Sequence, residues 1–237
     1  MLLPLSLFER LASFTIAPPP MLEQVMSYPP EWRIAENIDA AYALMREHPF
    51  ALLTTAHGGL HSTRTPFIAD VAEGKLTHLR AHVNARNPQA EQLHGQDALV
   101  IFDGPASYVS PNWRTDRTRA ATYDYEQVQV RGIAHLVDDI GFFRRLIDDL
   151  AAQIEPQYSE VGAYPTWQTA MSPQGYVERL FPAIVAFKIE VTSIRMISKL
   201  HQTFPEADRR SIADHLDRSH REGSRAIAAK IRAHLKG

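Results

Sequence analysis

The spacing of apolar positions along the chain changes several times, and each change marks an element. Ile38, Ala41, Tyr42 and Met45 recur at helical spacing behind Asn37, a residue suited to cap a first turn; His48-Pro49 ends that helix. Phe50-Ala-Leu-Leu-Thr-Thr-Ala56 reads as a strand, His57-Gly58-Gly59 as a turn, and 60–70 as the return strand. Pro66 cannot donate to a ladder, so it predicts an edge, a bulge or the end of pairing. Glu73-Gly74-Lys75 turns into a third strand over 76–82. Asn87 followed by Pro88 is an N-terminal signal for a short helix reaching Leu93.

Leu99-Val-Ile-Phe102 is a run of strand formers, broken by Asp103-Gly104-Pro105 and resumed by 106–109. Ser110-Pro111-Asn112 breaks the chain again and delivers Trp113 to the end of a strand pair. There the ring can line a pocket, meet another subunit, or plug one end of a barrel. An arginine-bearing loop over 114–121 leads to a long strand over 125–137. Asp138 or Asp139 caps a helix with Phe143, Ile147, Leu150 and Ile154 on one side. Ser172-Pro173 opens a short helix ended by Pro182, and a final strand runs over 184–197. The tail over 205–237 reads as a helical pair broken near Arg221-Glu222-Gly223. Successive strands with short turns favour an antiparallel barrel over a doubly wound sheet, and the inserted helices make it β-barrel plus α.

Composition narrows the chemistry. The 237 residues contain no Cys, which removes disulfides, thiolate metal sites and cysteine nucleophiles. A net charge of -2 gives no global attraction to nucleic acid or membrane. No stretch approaches the length of a membrane-spanning helix, and a cytoplasmic location fits. The apolar start over 2–8 is interrupted by Glu9 and Arg10 and followed by Pro18-Pro19-Pro20. Residues 1–25 read as a flexible extension, with Met26 an alternative first residue; an amphipathic anchor is the other reading.

Candidate chemistry is sparse. No dinucleotide fingerprint, P-loop or nucleophile elbow occurs. The close histidine pairs, His57/His61, His78/His82 and His215/His220, have poor spacing for chelation and read as solvated or core side chains. Arg80, His82, Asn84, Arg86 and Asn87 run from the third strand toward a helix N-terminus. That setting suits a phosphate, or is simply a solvated strand end. The tail carries Arg209, Arg210, Arg218, Arg221, Arg225, Lys230, Arg232 and Lys236 among Asp214, Asp217 and Glu222. This is a possible DNA-contacting patch or a solvated face with ion pairs.

Taken in order, several pieces resemble one family. They are Tyr28-Pro29, Phe50-Ala-Leu-Leu-Thr-Thr, Thr65-Pro66-Phe67, His82 through Arg86-Asn87-Pro88-Gln89, Leu99 through Trp113, Thr122-Tyr123-Asp124-Tyr125 with Gly132, and Lys199-Leu200-His201-Gln202. Together they resemble the PaiB family, the FMN-binding negative transcriptional regulators, over residues 26 to about 235. The resemblance implies a six-stranded antiparallel split barrel of the FMN-binding type, with flanking helices and a C-terminal helical pair. It also implies a homodimer with FMN at the subunit interface. The expected layout is an extension over 1–25, a barrel domain over 26–204 and a helical segment over 205–237.

Carried over by position, Arg64, Thr65, Pro66 and Phe67 lie beside the isoalloxazine, where backbone groups can bond the ring edge. Arg80, His82, Arg86 and Asn87 face the ribityl chain or phosphate. Tyr108, Ser110 and Trp113 close the pocket, and Lys199 and Gln202 are further polar candidates. A flavin needs this mixture of flat apolar walls, a few placed hydrogen bonds and cationic help at the phosphate.

Two departures stand out. The family's Thr-Trp-Asn-Tyr reads Thr122-Tyr123-Asp124-Tyr125, with Gln129 after Val128 in place of His. Its Lys-Leu-Ser-Gln-Asn reads Lys199-Leu200-His201-Gln202-Thr203. The expected function is an FMN-binding regulator with a direct DNA contact left open. The alternatives are a flavin-dependent oxidoreductase using NAD(P)H on a small molecule and a haem-binding split barrel.

Overall fold

The computed structural model describes residues 38–158 and 164–235. The Asn37 cap, Tyr28-Pro29, the N-terminal extension and Lys236 fall outside them. The first helix is α1 (Ile38–Glu47), followed by β1 (Phe50–Thr55), β2 (His61–Pro66), β3 (Ile68–Ala72), β4 (Lys75–Asn84) and β5 (Asp97–Val109). Then come β6 (Thr122–Leu136), α2 (Ile140–Ile154), α3 (Tyr176–Leu180), β7 (Ile184–Lys199), α4 (Glu206–Asp217) and α5 (Glu222–Ala233).

All seven strands form one antiparallel sheet in the order β2-β1-β5-β6-β7-β4-β3. Its two edge strands, β2 and β3, are separated in the chain only by Phe67, so the sheet curls toward closure as a split barrel. The count is seven where six strands were expected, and one local cause accounts for the difference. The 60–70 return divides at Pro66, which has no N–H. Phe67 N–H then leaves the ladder and donates to Pro49 O at 2.9 Å. The 99–109 segment, expected to break at Gly104-Pro105, stays one strand with a bulge between Asp103 and Ala106, because β6 pairs with it on both sides.

The side chains turned inward are those with the apolar alternation. Ala51, Leu53, Leu79, Ala81, Val100, Phe102, Val128, Val130, Phe187 and Ile189 form the main core with Ala41, Leu44 and Met45 of α1. Phe67 sits among them, its ring edge-on to Phe102 and Phe187 at 5.8 and 6.2 Å. The opposite side of β3 and β4 is covered by α2, whose Leu146 and Leu150 pack on Ile68. Asp139 caps α2 through Oδ1, which accepts from Gly141 N–H at 2.7 Å. The tail forms the expected helical pair. Its core of Ile212, Leu216, Ile227 and Ile231 joins Val109, Leu200 and Trp113. Ser107 and Ser224 join hydroxyls at 2.8 Å, holding α5 to β5.

One expected helix is not formed. Residues 88–93 contain only a 3-10 turn, Ala90–Gln92. The side chain of Asn87 accepts from Gln89 N–H at 3.0 Å, which makes a tight turn in place of a helical one. Gly95 at φ 74 then turns the chain into β5.

Candidate functional site

The sheet leaves one face uncovered by helices among the described residues. Along β1 the side chains of Phe50, Leu52 and Thr54 point to it, opposite Pro66, Arg64 and Ser62 of β2. Across β5 and β6 it continues through Leu99, Ile101, Asp103, Gln127 and Gln129. Phe50 is 58% exposed. A hydrogen-bonded row crosses this face. Arg64 Nη2 donates to Asp103 at 3.2 Å, Gln127 Nε2 donates to the same carboxylate at 3.0 Å, and Gln129 Nε2 donates to Gln127 at 2.8 Å. Exposed pairs of this kind contribute about 0.2–1 kcal/mol, so Arg64 is available to a ligand at little cost.

At the end of β4, the chain folds back over β2. Asn84 Oδ1 accepts from Arg86 N–H at 2.9 Å, and Asn87 N–H donates to Asn84 O at 2.9 Å. Asn87 Nδ2 donates to Thr63 Oγ1 at 2.8 Å, and Thr65 Oγ1 donates to His82 O at 2.6 Å. Beneath the turn, buried Gln89 donates to Thr55 Oγ1 at 3.0 Å. These bonds fix the turn to the sheet edge and leave the Arg86 side chain exposed, with no ion pair among the described residues. A held turn with an unpaired guanidinium, anchored to the inward side of the β2 edge whose other side carries Arg64 and the half-apolar face, fits the donor set of a flavin mononucleotide. Arg86 suits the phosphate, and Arg64 with the flat apolar side chains suits the ring. Because residues 88–93 make only a 3-10 turn, the helix N-terminus expected to hold the phosphate is absent, and side chains must supply those contacts.

The remaining candidates divide by position. Arg80 points away from the uncovered face, and its guanidinium is engaged by Asp70 at 2.8–3.0 Å and by Asp149 of α2 at 2.8 Å. Burial opposes that charge, yet the bonds to Asp70 and Asp149 outweigh it and raise the pKa. His82 also lies under α2, edge-on to Phe143 at 5.8 Å, with Nδ1 buried and without a partner. Burial pushes its pKa below the usual 6.5. Phe67 is a core side chain, 1% exposed.

Tyr108, Ser110, Trp113, Lys199 and Gln202 gather at the far end of β5, β6 and β7, against the helical tail. Ser110 caps the turn Pro111–Trp113 by accepting from Asn112 N–H at 3.2 Å. Trp113 stacks on His215, centroids 5.3 Å apart and planes 13° apart. Tyr108 and Tyr123 face each other across strands at 6.0 Å. Lys199 Nζ donates to Thr122 Oγ1 and to Tyr123 O. Gln202 bridges Leu200 N–H and Ser198 O. A cavity of about 540 Å³ here is lined by Tyr108, Trp113, Tyr123, His215, Arg218 and Arg221, among others. Within one chain the two groups are therefore separate. Thr63, Gln89 and Asp149 hold these side chains and were not among the expected residues; the first two are legible as polar side chains at inward positions of strand and turn.

The model of the family described as "Putative FMN-binding domain" matches residues 26–193. The chain belongs to this FMN-binding family, the PaiB type. FMN is its cofactor. The chain is 25% identical over 211 residues to "Protease synthase and sporulation protein PAI 2" of Bacillus subtilis, covering 88% of this chain and 98% of that one. Among solved structures it is similar to a FAD and heme binding protein from Mycobacterium smegmatis, at TM-score 0.51 and 13% identity, covering 70% of this chain and 73% of that one. It is also similar to the flavocytochrome Anf3 from Azotobacter vinelandii, at TM-score 0.52 and 12% identity, covering 71% and 70%. At those identities the likeness is one of fold, and the split barrel is that fold. No helix among the described residues is long and apolar enough to cross a membrane.

Proposed function

We propose that the protein is a homodimeric FMN-binding negative regulator, with the flavin held at the β2 edge, where the Asn84–Asn87 turn lies on one side of the strand and the uncovered face of β1, β2 and β5 on the other. The observation that carries this is a turn fixed to the β2 edge, whose outward side belongs to an uncovered, half-apolar sheet face, with Arg86 unpaired and exposed. In this reading Arg86 and Asn87 take the phosphate end. Arg64 and the backbone of Thr65 and Pro66 meet the ring edge. A second copy covers Phe50, Leu52 and Ile101, which otherwise leave apolar surface in water. A face-to-face dimer would bring a partner's side chains to a flavin that one chain only half encloses.

The regulatory role rests on the PaiB resemblance. Any direct DNA contact has to use a local patch, since the net charge is -2. Several arginines of the tail are already engaged. Arg232 pairs with Asp214 at 2.8 Å and Asp217 at 3.2 Å, and Arg210 pairs with Glu206 at 2.6 Å. Arg218, Arg221 and Arg225 are exposed at the α4–α5 corner and are the contacts this reading names.

The test is an FMN titration followed by flavin fluorescence, with mass measured by light scattering. The expected result is one FMN per chain in a dimer, with Arg86→Ala weakening FMN about tenfold or more and leaving the FMN-free protein's melting temperature unchanged. Full FMN affinity in Arg86→Ala, or a monomer carrying FMN at wild-type affinity, would overturn the assignment. Bleaching of bound FMN by NAD(P)H with turnover of an acceptor would favour an oxidoreductase over a regulator.

A further inference from the structure

We propose that a second, smaller cavity, at the junction of the 114–122 loop with the end of β7, is a binding site for a small oxyanion, a carboxylate or a phosphate, separate from the flavin. The cavity is about 260 Å³ and is lined by Arg114, Arg119, Thr122, Lys199, His201 and Phe204, among others. That is below the roughly 300–1,000 Å³ of pockets that take larger organic ligands, and it suits a small acid.

The lining is cationic, and one cation is buried without a counter-charge. Arg114 is 5% exposed. Its Nη2 donates to Arg119 O at 3.1 Å and Ala120 O at 2.9 Å, and the guanidinium lies 5.4 Å from the centre of the Phe204 ring. Nε is buried without an acceptor, and no carboxylate lies within ion-pair distance of Arg114 among the described residues. Arg119 turns outward to Asp116 at 3.1 Å. A guanidinium out of water and held only by carbonyl dipoles and a ring face is costly. An anion in the adjoining cavity supplies the missing counter-charge, and the Lys199 ammonium adds to the attraction.

His201 completes the site. It follows β7 at φ 56, a left-handed conformation that side chains other than glycine rarely adopt. Its Nδ1 lies 2.6 Å from Asp124 Oδ2, and both side chains are buried. A carboxylate accepts, so Nδ1 donates and Nε2, buried and without a partner, is left as an acceptor, suited to a protonated oxygen of the ligand such as the P–OH of a hydrogen phosphate. The ring leans on Phe204 at 4.5 Å, so its plane is held on both sides of the pair. Asp124 and His201 are two of the five positions, with Tyr123, Gln129 and Thr203, at which this chain departs from the family pattern, and they are each other's partner. The site is therefore a feature of this chain's own sequence.

The experiment titrates inorganic phosphate and acetate separately into FMN-free and FMN-loaded protein by calorimetry, with the His201 ring signal followed by NMR. The expected result is saturable binding of at least one anion with the same affinity in both forms, accompanied by a shift of the His201 signal. The tighter of the two identifies the headgroup class. Affinity should fall about tenfold or more in Arg114→Gln, the effect of losing one charge-assisted hydrogen bond. Because that change alters a buried side chain, the double variant Asp124→Asn with His201→Ser is measured beside it, with the same fall expected. Three results would overturn the proposal: no saturable binding of either anion, unchanged affinity in the double variant, or mutual exclusion of phosphate and FMN. The last would assign the cavity to the flavin's own phosphate.

Discussion

Replacing Phe67 by Ala separates two roles that its position allows, core anchor and flavin wall. The ring is 1% exposed and lies edge-on to Phe102 and Phe187 at 5.8 and 6.2 Å, at the point where the sheet's two edges join. Deleting a buried Phe side chain costs about 3–5 kcal/mol, and the lower bound requires the cavity to collapse. Collapse is hindered here, because Phe67 N–H is tied to Pro49 O and the flanking strands pair with different neighbours. The expected loss is therefore toward the upper half of that range. For a domain of this size it lowers the melting temperature by about 8–20 °C. The measurement is urea unfolding of the FMN-free protein, followed by far-ultraviolet circular dichroism. FMN-free protein is required, because bound ligand adds its own stabilisation by mass action. Phe67→Leu should cost about 1–1.5 kcal/mol, since it keeps most of the volume. If Phe67→Ala unfolds within about 1 kcal/mol of wild type yet loses FMN, the ring is a flavin wall and the core assignment is wrong.

Four other outcomes follow from particular contacts. His82 has a folded pKa below its usual 6.5 because burial disfavours the imidazolium. The unfolded chain therefore takes up the proton first, and this contribution to stability is present above 6.5 and lost as pH falls below it toward the folded value. The urea midpoint should drop less between about pH 7.5 and about pH 5 in His82→Leu than in wild type, and equal drops would remove His82 from the account. Gly132→Ala should destabilise by about 1–3 kcal/mol in the same assay, because a Cβ there would stand 2.1 Å from Glu190 O at the β6 bulge. Trp113→Ala should speed amide exchange in α4 and α5 selectively, because the ring packs on their core and stacks on His215; uniform acceleration across the barrel would contradict this. Asp149→Ala should cost about 1 kcal/mol or less, since Asp70 keeps Arg80 paired and Asp149 is half exposed.

The helices were legible because each buries one face. Ala41, Tyr42 and Met45, and Phe143 and Leu150, were identifiable from spacing alone and are buried as read. Pro66 and Gly104-Pro105 carried the same message, a break, yet only the first breaks a strand. The difference lies in the partner. At Pro66 the neighbour changes from β1 to β4, so no single strand holds the chain in register across it, whereas β6 pairs with β5 on both sides of Gly104-Pro105 and turns the interruption into a bulge. The state of Arg80 was illegible for a similar reason: Asp149, which helps engage its guanidinium, is 69 positions away on a helix.

The pairing of Asp124 with His201 was half legible. Each was visible as a departure from the family pattern, one introducing an acid and the other a base, 77 positions apart. What links them is strand register. Tyr125 of β6 pairs with Lys199, the last residue of β7, so Asp124 within β6 lies beside the residues that follow β7. Hydrophobic alternation fixes which face each strand buries, but it leaves shifts of two residues undetermined, so spacing alone could not bring these two together. The chemistry supplies the missing constraint. A lone carboxylate or imidazole at a buried strand end is costly, and the two opposite changes become tolerable together only in a register that makes them partners. Of the registers with the same buried faces, the one in which Asp124 meets His201 is therefore preferred, and it is the register that sets His201 with Arg114 and Lys199 in the lining of the smaller cavity.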